Sequence, residues 1–350
     1  MIRFETLHGC LLGGAVGDAL GLPAERLSPA RQRALYGRIE TMRFLPSRGM
    51  ISDDTEHALF TARALVESGG DAEKFRRLLS SELRRWMLAL PPGIGLATLK
   101  AGLKSLFFVS KSGVYSAGNG PAMRAPILGA ALGDVVPQLR HYLEISTRLT
   151  HTDPKAFWGS LAIALAASSQ TQGDGRRLVR EFGEWSDDSS EALECLGLLK
   201  KAVNAASRGQ STADFCAEMG LQNGVSGYIF HTVPVVIQCF LRNQNDFRCG
   251  IEEIIACGGD TDTTAAILGG ILGARLGIGA IPCDWREDLW EWPNTPRSME
   301  NLARDLARSL DEGQALVAPR LIWPWQLARN LFFGSVVLAH AIRRMLPPYR

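Results

Sequence analysis

Two short segments concentrate acids and hydroxyls at the start of helical patterns, Ser52-Asp53-Asp54-Thr55 and Gly259-Asp260-Thr261-Asp262-Thr263-Thr264. Singly, each reads as a helix cap, because Ser, Thr and Asp are the preferred N-caps and acids there complement the helix dipole. Together they exceed that need. One cap requires one oxygen acceptor, whereas Asp53, Asp54, Asp260 and Asp262, supported by Ser52 and Thr263, supply the all-oxygen shell that Mg²⁺ or Mn²⁺ prefers. Gathering these acids without a nearby lysine is costly unless a cation neutralises them. Zinc fits poorly, since the 6 histidines form neither an HExxH motif nor a Cys/His cluster.

Three further segments matter only beside these. The run from Gly17-Asp18 to Ala24-Glu25 ends a helix and delivers Glu25 into a loop, where a lone glutamate is ordinarily a solvated surface residue. Gly118-Asn119-Gly120-Pro121-Ala122-Met123-Arg124 is a turn-rich helix entry whose free backbone N–H groups can hold a phosphate. It is not the dinucleotide fingerprint, because Met123 stands where the third glycine belongs and no strand-helix-strand unit surrounds it. Thr150-His151-Thr152-Asp153-Pro154 is another helix entry, and a histidine such as His151 is more often a structural hydrogen-bonder than a catalyst.

The elements that must position these residues read as helices. Apolar residues recur at helical spacing, as in Leu59, Ala62, Leu65 and Val66 or Phe75, Leu79, Leu83 and Trp86. Thr232 to Ile237 is rich in β-branched residues, but Pro234 predicts a helix entered at the proline. The fold class is therefore all-α. Gly9, Gly13, Gly17 and Gly21, and likewise Gly269, Gly273 and Gly277, fall on one helix face at i, i+4 spacing. Each glycine costs ~1 kcal/mol against alanine, so the two stripes predict close helix packing. Asp18 and Arg275 argue against a membrane pair. Ser168 to Gly175 and Trp185 to Glu191 read as surface connections.

Composition narrows the function. With 38 Lys+Arg against 36 Asp+Glu in 350 residues, no basic field exists for general nucleic-acid binding. Seven scattered cysteines without a CxxC pair suit a reducing cytoplasm, and the N-terminus does not read as a signal peptide. The longest apolar run, Leu331 to Ile342, is interrupted by Ser335 and His340 and falls short of the ~20 residues that span a bilayer. Composition changes after Ser309, so residues 1–310 are expected to form one main domain and 311–350 a helical appendage. The stretch from Trp323 to Tyr349 is expected to dock by its apolar face, with truncation at Asp311 touching solubility or oligomeric state more than catalysis.

In this order, Gly9 to Glu25, Ser52-Asp53-Asp54-Thr55, Gly118 to Arg124, Thr150-His151, Gly227-Tyr228 and Gly258 to Thr263 resemble the ADP-ribosylglycohydrolase family, over roughly residues 5 to 308. The resemblance implies an all-α hydrolase with a dinuclear Mg²⁺ or Mn²⁺ centre between helices. By position it implies Ser52, Asp53 and Asp54 as ligands on one side and Asp260, Asp262 and Thr263 on the other. It makes Glu25 the mobile-loop glutamate near the reacting ribose, and Ser116, Gly118, Asn119, Gly120 and Met123 the loop holding diphosphate and ribose. His151 and Tyr228 would line the ADP-ribose cleft. Two departures stand out: Ser52 replaces the commoner threonine, and Asp153 stands where many relatives carry a second histidine.

The implied reaction is release of ADP-ribose from a modified target. Two cations grip the ribose hydroxyls and polarise a water, while Glu25 or a metal-bound carboxylate, Asp54 or Asp262, manages the proton. A non-catalytic ADP-ribose-binding module would not need four converging acids. A helical metal phosphohydrolase would carry a His-Asp dipeptide, which this chain lacks.

Overall fold

The computed structural model describes residues 2–107, 112–169, 173–319 and 321–347. Among them are seventeen α-helices and no strand. The first six are α1 (Ile2–Gly21), α2 (Pro29–Tyr36), α3 (Asp53–Ser68), α4 (Ala72–Leu88), α5 (Leu96–Phe107) and α6 (Ala125–Leu132). Then come α7 (Val136–Arg148), α8 (Pro154–Ala167), α9 (Gly175–Trp185), α10 (Ser190–Ser207), α11 (Thr212–Glu218) and α12 (Ile229–Arg242). The chain closes with α13 (Phe247–Ala256), α14 (Thr261–Leu276), α15 (Cys283–Glu287), α16 (Pro296–Glu312) and α17 (Trp323–Arg344). No helix among the described residues is long and apolar enough to cross a membrane. All seven cysteines are free, and only Cys249 and Cys283 are exposed.

Helices α1 and α14 form the buried central pair, and the glycine stripes are what bring them together. A Cβ on Gly9, Gly13, Gly17 or Gly21 would overlap the carbonyl oxygen of Gly273, Gly269, Ala265 or Thr261, respectively. Gly277 does not belong to the stripe: it closes α14 with φ +73, and its own Cβ would meet nothing. At the top of the pair the Thr261 hydroxyl donates to the Gly21 carbonyl at 2.8 Å, tying the start of α14 to the end of α1. Gly17→Ala is expected to cost about 1–3 kcal/mol or more, because both clashing groups are backbone and cannot turn aside. Gly14→Ala, whose Cβ would stand 3.4 Å from the Ala266 carbonyl oxygen, is expected to be neutral or stabilising. Urea midpoints of the two variants check the contrast.

Two expectations need correction. Pro234 does not open a helix: α12 begins five residues earlier, where the Tyr228 carbonyl takes the first N–H bonds from His231 and Thr232, and the proline lies inside it. Nor does α17 dock by an apolar face alone: Phe333, with Val336 and Val337 beside it, packs on Leu22, Phe44 and Met50, but the rest of its contact is polar. Its buried side chains are Gln326, Arg329, Asn330 and Phe333, while Trp325, Leu331, Leu338 and Ile342 point outward. The groove it fills explains the inversion, for it presents the Glu291 carboxylate and the carbonyls of Ile51 and Ala89, all of which need donors. Of the two polar connections, Trp185 to Glu191 joins α9 to α10, and Ser168 to Gly175 falls partly outside the described residues.

Candidate functional site

A cleft of about 560 Å³ opens where the starts of α3 and α14 meet the Glu25 loop. Ser52 is the N-cap of α3, accepting from Asp54 N at 3.2 Å and bonded through its hydroxyl to Asp54 Oδ2 at 3.0 Å. The segment before it is fixed from below by Asp18, a residue that sequence reasoning passed over. One oxygen of its buried carboxylate accepts from Ser52 N, Thr55 N and the Thr55 hydroxyl at 2.9, 3.2 and 2.5 Å. The available signal was an acid standing within a stripe of small and apolar residues on α1.

The second acidic segment is held by backbone pairing. Gly259 N donates to Leu27 O at 2.7 Å, Arg26 N to Gly259 O at 2.6 Å, and Asp260 N to Val225 O at 2.7 Å. Gly258 and Gly259 take positive φ values of 68° and 84°, and a Cβ on Gly259 would overlap Val225, so this crossing requires glycine. Asp260 is the N-cap residue of α14 but makes no side-chain cap bond. Its carboxylate instead accepts from Asn119 Nδ2 at 2.6 Å and from the Thr263 hydroxyl at 3.1 Å, while that hydroxyl also lies 3.2 Å from Asp54 Oδ2. The two helix starts therefore meet through Thr263.

Burial and mutual repulsion dominate the electrostatics. Burial pushes Asp53, Asp54 and Asp262 well above the usual carboxylate range, and neighbouring acids push them further. Asp260 is raised less, because Asn119 and Thr263 bond its charged form. Asp18 is raised to about 6, again chiefly by burial. Glu25 is also raised by burial, against the attraction of Arg26, whose Nε stands 3.1 Å from Glu25 Oε1. Asp54 Oδ1 and Asp262 Oδ1 are buried without a hydrogen-bond partner, which is costly for a carboxylate. These orphaned oxygens, with Asp53, Asp260 and Thr263 on the same cleft, form a donor set of the hard, oxygen-only kind that fits Mg²⁺ or Mn²⁺. Among the described residues no three His, Cys, Asp or Glu side chains form a group that could hold a metal ion.

The opposite wall is backbone and a neutral imidazole. Ser116, Gly118, Gly120, Met123 and His151 all border the cleft. His151 Nδ1 bonds the Thr150 hydroxyl at 2.9 Å, and burial followed by the charge of Arg124 lowers its pKa to about 3, so the ring is uncharged. Arg124 is itself wholly buried, donating to Ser146, Thr150 and His57, with burial bringing its pKa down to about 9. A Cβ on Gly118 or Gly120 would come within 3.0 or 2.9 Å of the His151 ring, so these glycines let the loop lie against it.

Not every anticipated residue meets the cavity in the anticipated way. Asn119 borders it but spends its amide on Thr232 and Asp260, which makes it an orienting group for Asp260. Ser52 and Tyr228 do not border it: Ser52 lies beneath Asp54, and the Tyr228 hydroxyl accepts from Lys155 Nζ at 3.0 Å. Asp153 caps α8 through Lys155 N at 2.9 Å and also lies off the cleft. Gly93, Gly95 to Thr98 and Ser226 border the cleft and carried no motif that singled them out.

Comparison with known proteins gives a consistent result. The family model described as ADP-ribosylglycohydrolase matches residues 2–315. The chain is 28% identical to the ADP-ribosyl-[dinitrogen reductase] glycohydrolase of Rhodospirillum rubrum, over 80% of this chain and 90% of that protein. It is 25% identical to the human ADP-ribosylhydrolase ARH3, over 87% and 94%, and 32% identical to an uncharacterized protein of Archaeoglobus fulgidus, over 81% and 92%. A solved ADP-ribosylglycohydrolase-related protein complex superposes with a TM-score of 0.62 at 27% identity, covering 88% of this chain and 99% of the other.

Proposed function

The chain belongs to the ADP-ribosylglycohydrolase family, and from that premise we propose that it is a metal-dependent hydrolase removing ADP-ribose from a modified protein side chain or another ADP-ribosylated target. The observation that carries this reading is the pair of orphaned carboxylate oxygens, Asp54 Oδ1 and Asp262 Oδ1, on a cleft whose other wall is glycine backbone and neutral His151. Asp18 Oδ1 is also unpartnered, but Asp54 and Asp262 border the cleft, where a cation could meet their free oxygens.

Asp53 and Asp54 from α3 and Asp260, Asp262 and Thr263 from α14 would hold two Mg²⁺ or Mn²⁺ ions, with Ser52 joining only by releasing its bond to Asp54. Bound there, the cations supply Lewis acidity towards the ribose hydroxyls and an attacking water. The chain's own groups do the rest. Asn119 and Thr263 hold the Asp260 carboxylate in one orientation, and Asp18 holds the backbone that presents Asp53 and Asp54. Glu25, whose pKa is raised by burial, is suited to carry a proton to or from the bond being cleaved. The Gly118–Met123 loop and His151 hold the ADP-ribosyl part, the uncharged ring adding no counter-ion that would slow release of product. We assign the reacting groups to residues 1–310, with 311–350 as an appendage whose α17 bonds the backbone beneath them, so truncation at Asp311 should touch catalysis as well as solubility, and the free, mostly buried cysteines support a cytoplasmic setting.

The test is a panel of peptides ADP-ribosylated through arginine, serine or other linkages, incubated with Mg²⁺ or Mn²⁺ and assayed for free ADP-ribose by mass spectrometry. Release from at least one linkage, dependent on metal and inhibited by ADP-ribose more strongly than by adenosine, is the expected result. ADP-ribose binding without release from any linkage would make the protein a binding module instead.

A further inference from the structure

The cleft residues ride on several backbone segments, and α17 touches the roots of three of them. Arg344 Nη2 donates to the carbonyls of Leu22 and Pro23, at 3.4 and 2.9 Å, in the short turn that carries Glu25. Arg329 donates to the carbonyl of Ile51, the residue before Ser52, and its ion-pair partner Glu291 accepts from Ile51 N at 3.1 Å. Asn330 Nδ2 donates to Ala89 O at 2.9 Å, and Gly334 lies against Pro92, just ahead of the Gly93–Leu96 stretch on the cleft rim.

We propose that α17, which lies beyond the family-matched residues 2–315, is a positioning element for the cleft, and that Arg344 is the positioning residue for Glu25; the proposal rests on the hydrolase reading above. The turn needs such support. Leu22–Ala24 is a three-residue 3₁₀ turn, and Arg26, directly after Glu25, sits at φ +63, a left-handed conformation that a residue with a side chain rarely adopts. The turn is held from the α14 side by Arg26 N to Gly259 O, and from the other side by the two Arg344 bonds. Arg344 is itself tethered, because Arg31 Nη2 donates to its carbonyl at 2.7 Å and to that of Leu346 at 3.2 Å. Arg329 and Asn330 are wholly buried and serve the packing of α17, whereas Arg344 is only half-buried near the chain end. Removing its guanidinium loosens the Glu25 turn without opening the core.

The experiment compares full-length wild type with Arg344→Ala, Arg344→Lys and, as control, Arg343→Ala, whose Nη1 bonds the nearby Pro347 carbonyl and, among the described residues, no part of the Glu25 turn. Amide hydrogen exchange at Glu25 and Leu27 is expected to quicken on the order of tenfold in Arg344→Ala, with unchanged melting and unchanged exchange in α1 and α14. In turnover, kcat is expected to fall about ten- to a hundredfold with little change in KM, the pattern of a misplaced reacting group. Arg344→Lys should restore part of both readouts and Arg343→Ala should match wild type. Unchanged exchange at Glu25 and Leu27 overturns the clasp regardless of activity. Quickened exchange with wild-type kcat overturns the role in positioning Glu25. A wild type that releases no ADP-ribose from any linkage counts against the hydrolase reading instead, and the exchange arm still decides the clasp.

Discussion

Asp262→Asn is expected to lower the rate of ADP-ribose release by about three orders of magnitude or more while leaving the protein folded. Asp262 lies just inside α14, whose N-cap position is taken by Asp260, so its carboxylate is not the cap. It is 5% exposed, borders the cleft and has Oδ1 unpartnered. Asparagine keeps the shape and removes one negative charge, so a purely structural residue would tolerate the change. A ligand would not: Lewis-acid stabilisation worth several kcal/mol leaves the transition state, and ~1.4 kcal/mol is a factor of ten.

The same variant should behave oppositely in metal-free protein. Burial and the charges of Glu25, Asp54, Asp260 and Asp18 raise the Asp262 pKa in the folded state above its unfolded value. A carboxyl raised in this way contributes stability that is fully present below the ordinary aspartate pKa of about 4 and is lost as pH rises through the folded value. Metal-free wild type should therefore melt progressively lower as pH climbs from about 4 towards neutrality, Asp18 completing its share near pH 6. Asp262→Asn should flatten that decline, and Mg²⁺ should raise the melting temperature of wild type far more than that of the variant. Melting curves with and without metal, paired with single-turnover release of ADP-ribose, decide it: a folded variant with near-normal turnover removes Asp262 from the mechanism.

Arg329→Met carries the largest expected loss of stability, about 3–5 kcal/mol, because it strands a buried carboxylate. The Arg329 and Glu291 side chains are 2% and 0% exposed and meet at 2.7 Å. Glu291 also accepts from the backbone N–H groups of Ile51 and Trp292, so its charge is shared among donors but is neutralised by Arg329. Adding Glu291→Gln to Arg329→Met should recover part of the loss, since the amide oxygen can still accept from Ile51 N without a buried charge. Guanidinium titrations with constant m-value measure both. A cost below ~1 kcal/mol for the single variant, the size of a surface pair, would show that α17 is held by Phe333 and its apolar neighbours instead.

The all-α fold, close helix packing at the two glycine stripes and the two acidic helix starts were legible in the sequence because each is a local pattern; that the stripes pack on each other was not. Glycines at i, i+4 announce a face without side chains, and the carbonyls of Gly273, Gly269, Ala265 and Thr261 fill the space they leave. Ser52 and Asp260 announce helix starts from their residue type alone. What stayed hidden depends on partners far along the chain. Asp18 reads as an interruption of the α1 stripe until the start of α3 is laid over it. Asn119 reads as part of a phosphate loop until Asp260, 141 residues away, claims its amide. The apolar residues of α17 read as its docking face, yet only Phe333, Val336 and Val337 dock, because the rest of the surface it meets offers carbonyls and a buried carboxylate, so Gln326, Arg329 and Asn330 turn inward. Periodicity reports which face of a helix is apolar; only the tertiary structure decides which face the neighbouring groups require, because an unmet buried acceptor costs as much as an exposed leucine.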